Sequence, residues 1–203
     1  MSSTIKAARR QTDNAHFDLK VHVRKLAVAA CLPPGEEPRV LDCFAGENRL
    51  WSAIPHAYYY GIDAAGKGRA RNVKAKNEKV IPSLDLSLFN VIDLDSYGVP
   101  FRQLDLILKN KTLPPSVLVI YTAIYGAIAS VCKEAVNAVG IDHDRVYRKC
   151  PMLFNKAVGA FWDLYLFNRC GVERTWCVSF SEGTYRKCYG WFVLRRRKEE
   201  EKS

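Results

Sequence analysis

Short apolar runs that end on acidic, glycine or proline positions alternate along this chain with stretches in which apolar residues recur at helical spacing. Val40-Leu41-Asp42 reads as a first strand and Asn48 to Ile54 as a short helix. Residues 57–63, through Tyr58-Tyr59-Tyr60-Gly61-Ile62-Asp63, read as a second strand, and Phe89 to Asp95 is the clearest buried one. Phe101, Leu104, Ile107 and Leu108 fall on one helical face, which predicts a helix over 101–110. Residues 117–122 form another buried run, followed by predicted helices over 124–138 and 151–169. The second of these carries Phe154, Val158, Phe161, Trp162, Tyr165 and Leu166 on one face, a core stripe, and ends at Gly171. Strands over 173–180 and 186–196 flank a turn at Ser181–Thr184. The segment 15–32 admits two readings. Phe17, Leu19, Val21 and Val23 alternate as in a strand, whereas Leu26 to Leu32 is an Ala-rich helix former. A helix starting near Asp13 or Asn14 and stopped by Pro33-Pro34-Gly35 is the preferred one.

Alternating strands and helices predict a largely parallel sheet covered on both faces, to which the last hairpin adds an antiparallel edge strand. The length of 203 residues suits a single domain over 15–196. A mobile basic segment, 1–14, precedes it and a solvated charge run, 197–203, follows.

Charge changes the picture. The formal net charge is +10, which points to a polyanionic partner, most often nucleic acid. Lys67, Arg69, Arg71, Lys74, Lys76 and Lys79 lie close together, opposed only by Glu78, and suit phosphate contacts or a solvated face equally. Lys6, Arg9, Arg10, Lys20, Arg24 and Lys25 make a second basic group. Seven cysteines without a C-x-x-C pair speak against a disulfide framework and against a zinc site. They suit a reducing cytoplasm. No apolar run is long enough to cross a membrane, and the N-terminus lacks a signal-peptide apolar core.

The candidate chemistry sits where predicted strands end. After Asp42, a turn through Phe44, Ala45 and Gly46 leads into Glu47-Asn48-Arg49-Leu50-Trp51, which can open a helix. Such a strand–turn–helix junction presents backbone N–H groups to a polar cofactor. Asp63 ends the second strand at the distance from that turn at which an acid grips ribose hydroxyls in nucleotide-binding α/β proteins. Asp93 and Asp95 share one face of a buried strand, and Ser96-Tyr97-Gly98-Val99-Pro100 follows them. Two acids in an apolar strand are costly to bury, and a ligand-binding position supplies a reason for them.

Taken together, these residues resemble a class I S-adenosylmethionine-dependent methyltransferase over residues 38–196. The first motif of that family in many nucleic-acid members is Asp-x-Phe-Ala-Gly-x-Gly-x-Leu; Asn48 stands here at the second Gly, a residue that tolerates left-handed backbone angles. Asp93 to Pro100 resembles the Asp-x-Asp-Pro-[Phe/Tyr]-Gly-Ser-Pro element of the tRNA guanine-N2 dimethyltransferase family, with Ser96 in place of Pro. The resemblance implies a three-layer Rossmann-like α/β fold, its mostly parallel seven-stranded sheet ending in an antiparallel hairpin. It implies S-adenosylmethionine as cofactor, held by Asp42, Phe44, Ala45, Gly46, Asn48, Asp63 and Asp93, with no metal. Asp95 would contact the amine being methylated, polarising its N–H and taking its proton, and Tyr97 would stack on the base. Methyl transfer to an exocyclic amine of RNA, such as tRNA, leads. A DNA amino-methyltransferase and a non-catalytic domain that binds nucleic acid or protein stay open beside it.

Overall fold

The computed structural model describes residues 16–64, 72–125, 133–138, 140–142, 145, 149–150, 157–172, 175–182 and 185–195. Parallel strands buried on both faces need uninterrupted apolar runs. Those runs become β1 (Arg39–Asp42), β2 (Tyr58–Asp63), β4 (Val91–Asp95) and β5 (Ser116–Tyr125). With β3 (Asn72–Lys74), β6 (Trp176–Glu182) and β7 (Tyr185–Arg195) they form one seven-stranded sheet of order β3-β2-β1-β4-β5-β7-β6. The expected mostly parallel α/β sheet is therefore what the chain forms.

Helices cover both faces. On one side, α1 (Phe17–Cys31) and α2 (Arg49–Ser52) pack Val23, Ala27 and Trp51 against Val40, Tyr59, Val91, Leu118, Ile120 and Tyr189. The other side holds the larger core. There α4 (Phe101–Lys109) and α6 (Val158–Tyr165) bring Phe101, Leu104, Ile107, Phe161, Trp162 and Tyr165 onto Leu41, Ile92, Leu94, Val119 and Tyr121. The short α3 (Asn77–Val80) and α5 (Lys133–Ala138) complete the set. α6 continues as one π-helical turn, Leu166–Cys170, and stops at Gly171 in the left-handed conformation.

The preferred helical reading of 15–32 holds: α1 buries Lys20, Val23, Arg24 and Ala27, an i, i+3, i+4, i+7 stripe. Other expectations need correction. The edge strand β3, which has no counterpart among the strands read from sequence, is too short to leave a period and is held by β2 through the pairs Gly61–Asn72 and Asp63–Lys74. β5 runs on to Tyr125, into the predicted helix over 124–138, because β7 pairs with it along its whole length, from Ser116–Arg195 to Tyr125–Arg186. The antiparallel strand is not the edge: β7 lies between β5 and β6, and β6 closes the sheet. The expected mobile segment 1–14, the tail 197–203, and parts of the predicted helices over 124–138 and 151–169 lie outside the described residues. No helix among the described residues is long and apolar enough to cross a membrane.

Candidate active site at the carboxyl end of the sheet

Strand register decides which acids meet. β1 and β4 are neighbours with Asp42 opposite Asp93, and β2 lies on the other side of β1 with Gly61 opposite Asp42. Asp95 follows at the end of β4, opposite Thr122 of β5. Asp42, Asp63, Asp93 and Asp95 thus gather at the carboxyl end of three adjacent strands, the ligand-binding edge of an open α/β sheet.

The β1–α2 turn is fixed by these side chains. Asp42 Oδ1 accepts from the Phe44 N–H at 3.0 Å, and Asp63 Oδ2 accepts from the Gly46 N–H at 3.1 Å. Gly46 (φ 50°) and Asn48 (φ 58°, ψ 28°) both take left-handed backbone angles, so asparagine at the second glycine position does keep the turn. Behind the turn, Asn72 Nδ2 donates to the Gly46 carbonyl at 3.2 Å and Asn77 Nδ2 to the Cys43 carbonyl at 2.6 Å. Gly61 is what lets Asn72 and Ala45 approach: a Cβ there would stand 2.3 Å from Asn72 Oδ1 and 2.8 Å from Ala45 Cβ. Around this turn the Oδ1 atoms of Asn48, Asn72 and Asn77 are buried with no hydrogen-bond partner. Acceptors kept out of water in this way are costly unless a ligand's donors meet them. The Asn48 acceptor on this left-handed turn and the Asp63 carboxylate beside the Gly46 N–H suit the hydroxyls and ammonium of an adenosyl amino acid, so the residues present fit S-adenosylmethionine.

Asp93 is placed differently from the expectation. It is 0% exposed, and both its oxygens are taken by the Arg24 guanidinium, Nε to Oδ2 at 2.6 Å and Nη2 to Oδ1 at 2.9 Å. Trp51 Nε1 donates to Oδ2 as well, at 2.6 Å. Asp93 therefore ties α1 and α2 to the sheet, with both of its oxygens engaged inside the fold. Arg24 in turn donates from Nη1 to the Lys20 carbonyl at 3.0 Å, and Lys20 Nζ reaches Asp95 Oδ2 at 3.0 Å. Lys20 and Arg24, read from sequence as part of a second basic group, are buried counter-ions of the site. The signal that would have found them is their i, i+4 spacing on the same stripe as Val23 and Ala27.

The charges set one another's protonation. Burial pushes the Asp42 carboxyl up to about 8, with the neighbouring Asp93 adding to it. Tyr59 Oη donates to Asp42 Oδ2 at 3.1 Å and is itself pushed up, by burial and then by Asp42. Burial also works to raise Asp95, but Arg24 and Lys20 overcome it and hold that carboxyl below the usual range. Burial opposes the charge on Arg24 too, yet Asp93 and Asp95 keep it firmly protonated. An acid whose folded value is raised favours the native state most when protonated. Stability linked to Asp42 therefore falls as pH rises from its unfolded value, near 3.8, through about 8. We expect Asp42→Asn, which keeps an acceptor for the Phe44 N–H, to flatten that decline. Melting curves at about pH 5.5 and pH 8.5 check it: the variant should gain on the wild type at the higher pH, and parallel losses would reject the assignment.

Ser96 does by hydrogen bonding what a proline ring does by covalent restraint. Its hydroxyl is buried within reach of the Gly98 carbonyl at 3.0 Å and the Thr122 carbonyl at 3.1 Å, and the Ile124 N–H donates to Gly98 at 2.9 Å. This loop is thereby tied to β5 while Tyr97, 64% exposed, projects from it. Of the predicted basic cluster, Lys74 and Lys76 are exposed beside the β2 end of the site, whereas Lys67, Arg69 and Arg71 lie outside the described residues. No group of three His, Cys, Asp or Glu that could hold a metal occurs among the described residues.

No protein-family model matches the chain, and no curated protein matches its sequence. Among solved structures the chain is similar to yhhF of Escherichia coli, described as a methyltransferase, at 13% identity over 87% of each chain with a TM-score of 0.44. It is similar to M. jannaschii TYW2 in complex with AdoMet, at 10% identity over 86% of this chain and 76% of that one, TM-score 0.48. It is also similar to Trm1 of Pyrococcus horikoshii with S-adenosyl-L-methionine, at 12% identity over 88% of this chain, TM-score 0.47; it spans 54% of the Trm1 chain, about half its length. Likeness at this level assigns no activity to the chain.

Proposed function

We propose that the chain transfers a methyl group from S-adenosylmethionine to an exocyclic amine of a nucleic-acid base, RNA ahead of DNA. The observation that carries this reading is the placement of a built cofactor turn and a poised acceptor at one sheet edge. Gly46 is bonded to Asp63 and backed by Asn72, with the unfilled acceptor of Asn48 on the same turn; Asp95 stands two strands from Asp63, close in sequence to the exposed Tyr97. Asp63, the backbone of Gly46 and Asn48 would hold the cofactor, with Phe44 and Ala45 shaping the turn. S-adenosylmethionine supplies, when bound, an electrophilic methyl group on a sulfonium.

The chain's own residues do the rest. Asp95 Oδ1 is buried without a hydrogen-bond partner and can accept an N–H from the incoming amine. Exocyclic amines on aromatic bases are weak nucleophiles, and an acceptor on their N–H returns electron density to nitrogen. Tyr97 offers a face on which a splayed base can stack, which is sequence-tolerant and suits a base removed from its helix. Lys74 and Lys76, with Lys67, Arg69 and Arg71 from the sequence reading, would neutralise phosphates.

Isothermal titration calorimetry with S-adenosylmethionine tests the cofactor claim. We expect saturable heat, with affinity weakened roughly tenfold or more in Asp63→Ala, as for loss of a charged hydrogen-bond partner. No heat from the wild type at ligand excess would leave a non-catalytic domain. Transfer of labelled methyl to total tRNA rather than genomic DNA is the expected second result; the reverse would move the substrate to DNA.

A further inference from the structure

We infer that Lys20 is a positioning residue that locks Asp95 as a standing hydrogen-bond acceptor, so that the site selects an N–H donor and the proton displaced on methylation leaves to water rather than to Asp95. This rests on the methyl-transfer reading above.

The geometry divides the two oxygens of Asp95. Oδ2 faces cations from α1: Lys20 Nζ at 3.0 Å, with Arg24 Nη2 at 3.7 Å. Oδ1 is buried with no hydrogen bond of its own, and the Thr122 side chain beside the carboxylate adds to the cations in keeping it ionised. The Lys20 and Asp95 side chains are only 8% and 12% exposed, so solvent weakens their attraction little. Lys20 is held from two directions. Its carbonyl is bonded by Arg24, and its ammonium lies 5.8 Å from the Tyr189 ring centre of β7. The helix that carries it is anchored one turn on by the Arg24–Asp93 fork. The charged and polar groups around Asp95 are thus Lys20 and Arg24 of α1, Asp93 of its own strand, Asp42 of β1 and Thr122 of β5, with Tyr189 of β7 behind Lys20.

An ionised carboxylate accepts and never donates. With Oδ2 given to Lys20, Oδ1 welcomes an N–H and repels a carbonyl or an anionic oxygen. The same ion pair makes Asp95 a weak base, since Arg24 and Lys20 outweigh its burial. When the methylated nitrogen sheds its proton, the N–H bond breaks, the electron pair stays on nitrogen, and the proton passes to water. Asp95 thus contributes orientation and polarisation, and not the proton uptake suggested by sequence.

The experiment is a carboxyl ¹³C NMR titration of the full chain, with the Asp95 signal assigned by its loss in Asp95→Asn. In the wild type Asp95 should titrate below an ordinary aspartate. Lys20→Met should raise its midpoint by about one to two pH units, the usual effect of an opposite charge at this range, and Lys20→Arg should leave it in place. If Lys20→Met does not fold, Lys20→Gln removes the charge while keeping the stem and a donor. An unmoved midpoint in the charge-removing variant overturns the inference. The titration needs neither cofactor nor substrate, so its failure is distinct from failure of methyl transfer. Where transfer is measured, the acid limb of its pH profile should rise in Lys20→Met and return in Lys20→Arg. A limb that stays put would show that Asp95 is not set by Lys20.

Discussion

Arg24→Met is expected to cost about 3–5 kcal/mol of folding stability, the range for breaking a buried ion pair by removing one partner. The guanidinium is 1% exposed and its partner Asp93 0%, and it gives both Asp93 oxygens a donor. Without it the Asp93 carboxylate keeps only the Trp51 indole N–H, beside Asp42 and Asp95. Part of the loss would be met by protonation, because an uncompensated buried acid binds its proton more tightly in the folded state than in the unfolded one. The deficit should therefore shrink as pH falls from about 8 to about 5. Removing both charges, as in Arg24→Met with Asp93→Leu, should recover much of the stability, since apolar replacement of a whole buried pair is often near neutral. Recovery stays partial because Trp51 then loses its acceptor. Urea denaturation across that pH range checks the set. A deficit under about 1 kcal/mol that ignores pH, as for a surface pair, would show the fork to be incidental.

Asp95→Ala is expected to lower methyl transfer by about 100-fold or more, the scale for losing one preorganised hydrogen-bond partner at the reacting group. Affinity for S-adenosylmethionine should stay within a few-fold of wild type, since Asp95 belongs to β4 and not to the turn that Asp63 bonds. Asp63→Ala should show the opposite pattern, with binding lost first. Single-turnover rates at saturating cofactor separate the two. An unchanged rate in Asp95→Ala would remove this residue from the reacting centre. Lys20 loses its partner in that variant, so the assay belongs well below the variant's melting temperature.

The period of the apolar residues made most of the fold legible. The runs at Val40, Ile92 and Leu118 read as buried strands and form them, and Phe101, Leu104 and Ile107 fall on one helical face and pack as that face predicts. Legibility failed where partners, not periods, decide. β3 exists because β2 offers it an edge, and β5 reaches Tyr125 because β7 pairs with it along its length. Neither leaves a local signature.

The site divides in the same way. By itself the sequence determined that Asp42, Asp63 and Asp95 end strands, that Asp93 shares a face with Asp95, and that Asn48 could hold a glycine-like turn, because strand ends, side-chain parity and left-handed tolerance are local properties. Only the tertiary structure decided what each acid does. Packing α1 against the sheet brought Arg24 onto Asp93 and Lys20 onto Asp95, which turned one candidate ligand into an internal anchor and the other into a fixed acceptor. Charges far apart in sequence fix one another's ionisation only when burial brings them within a few ångströms and keeps water out.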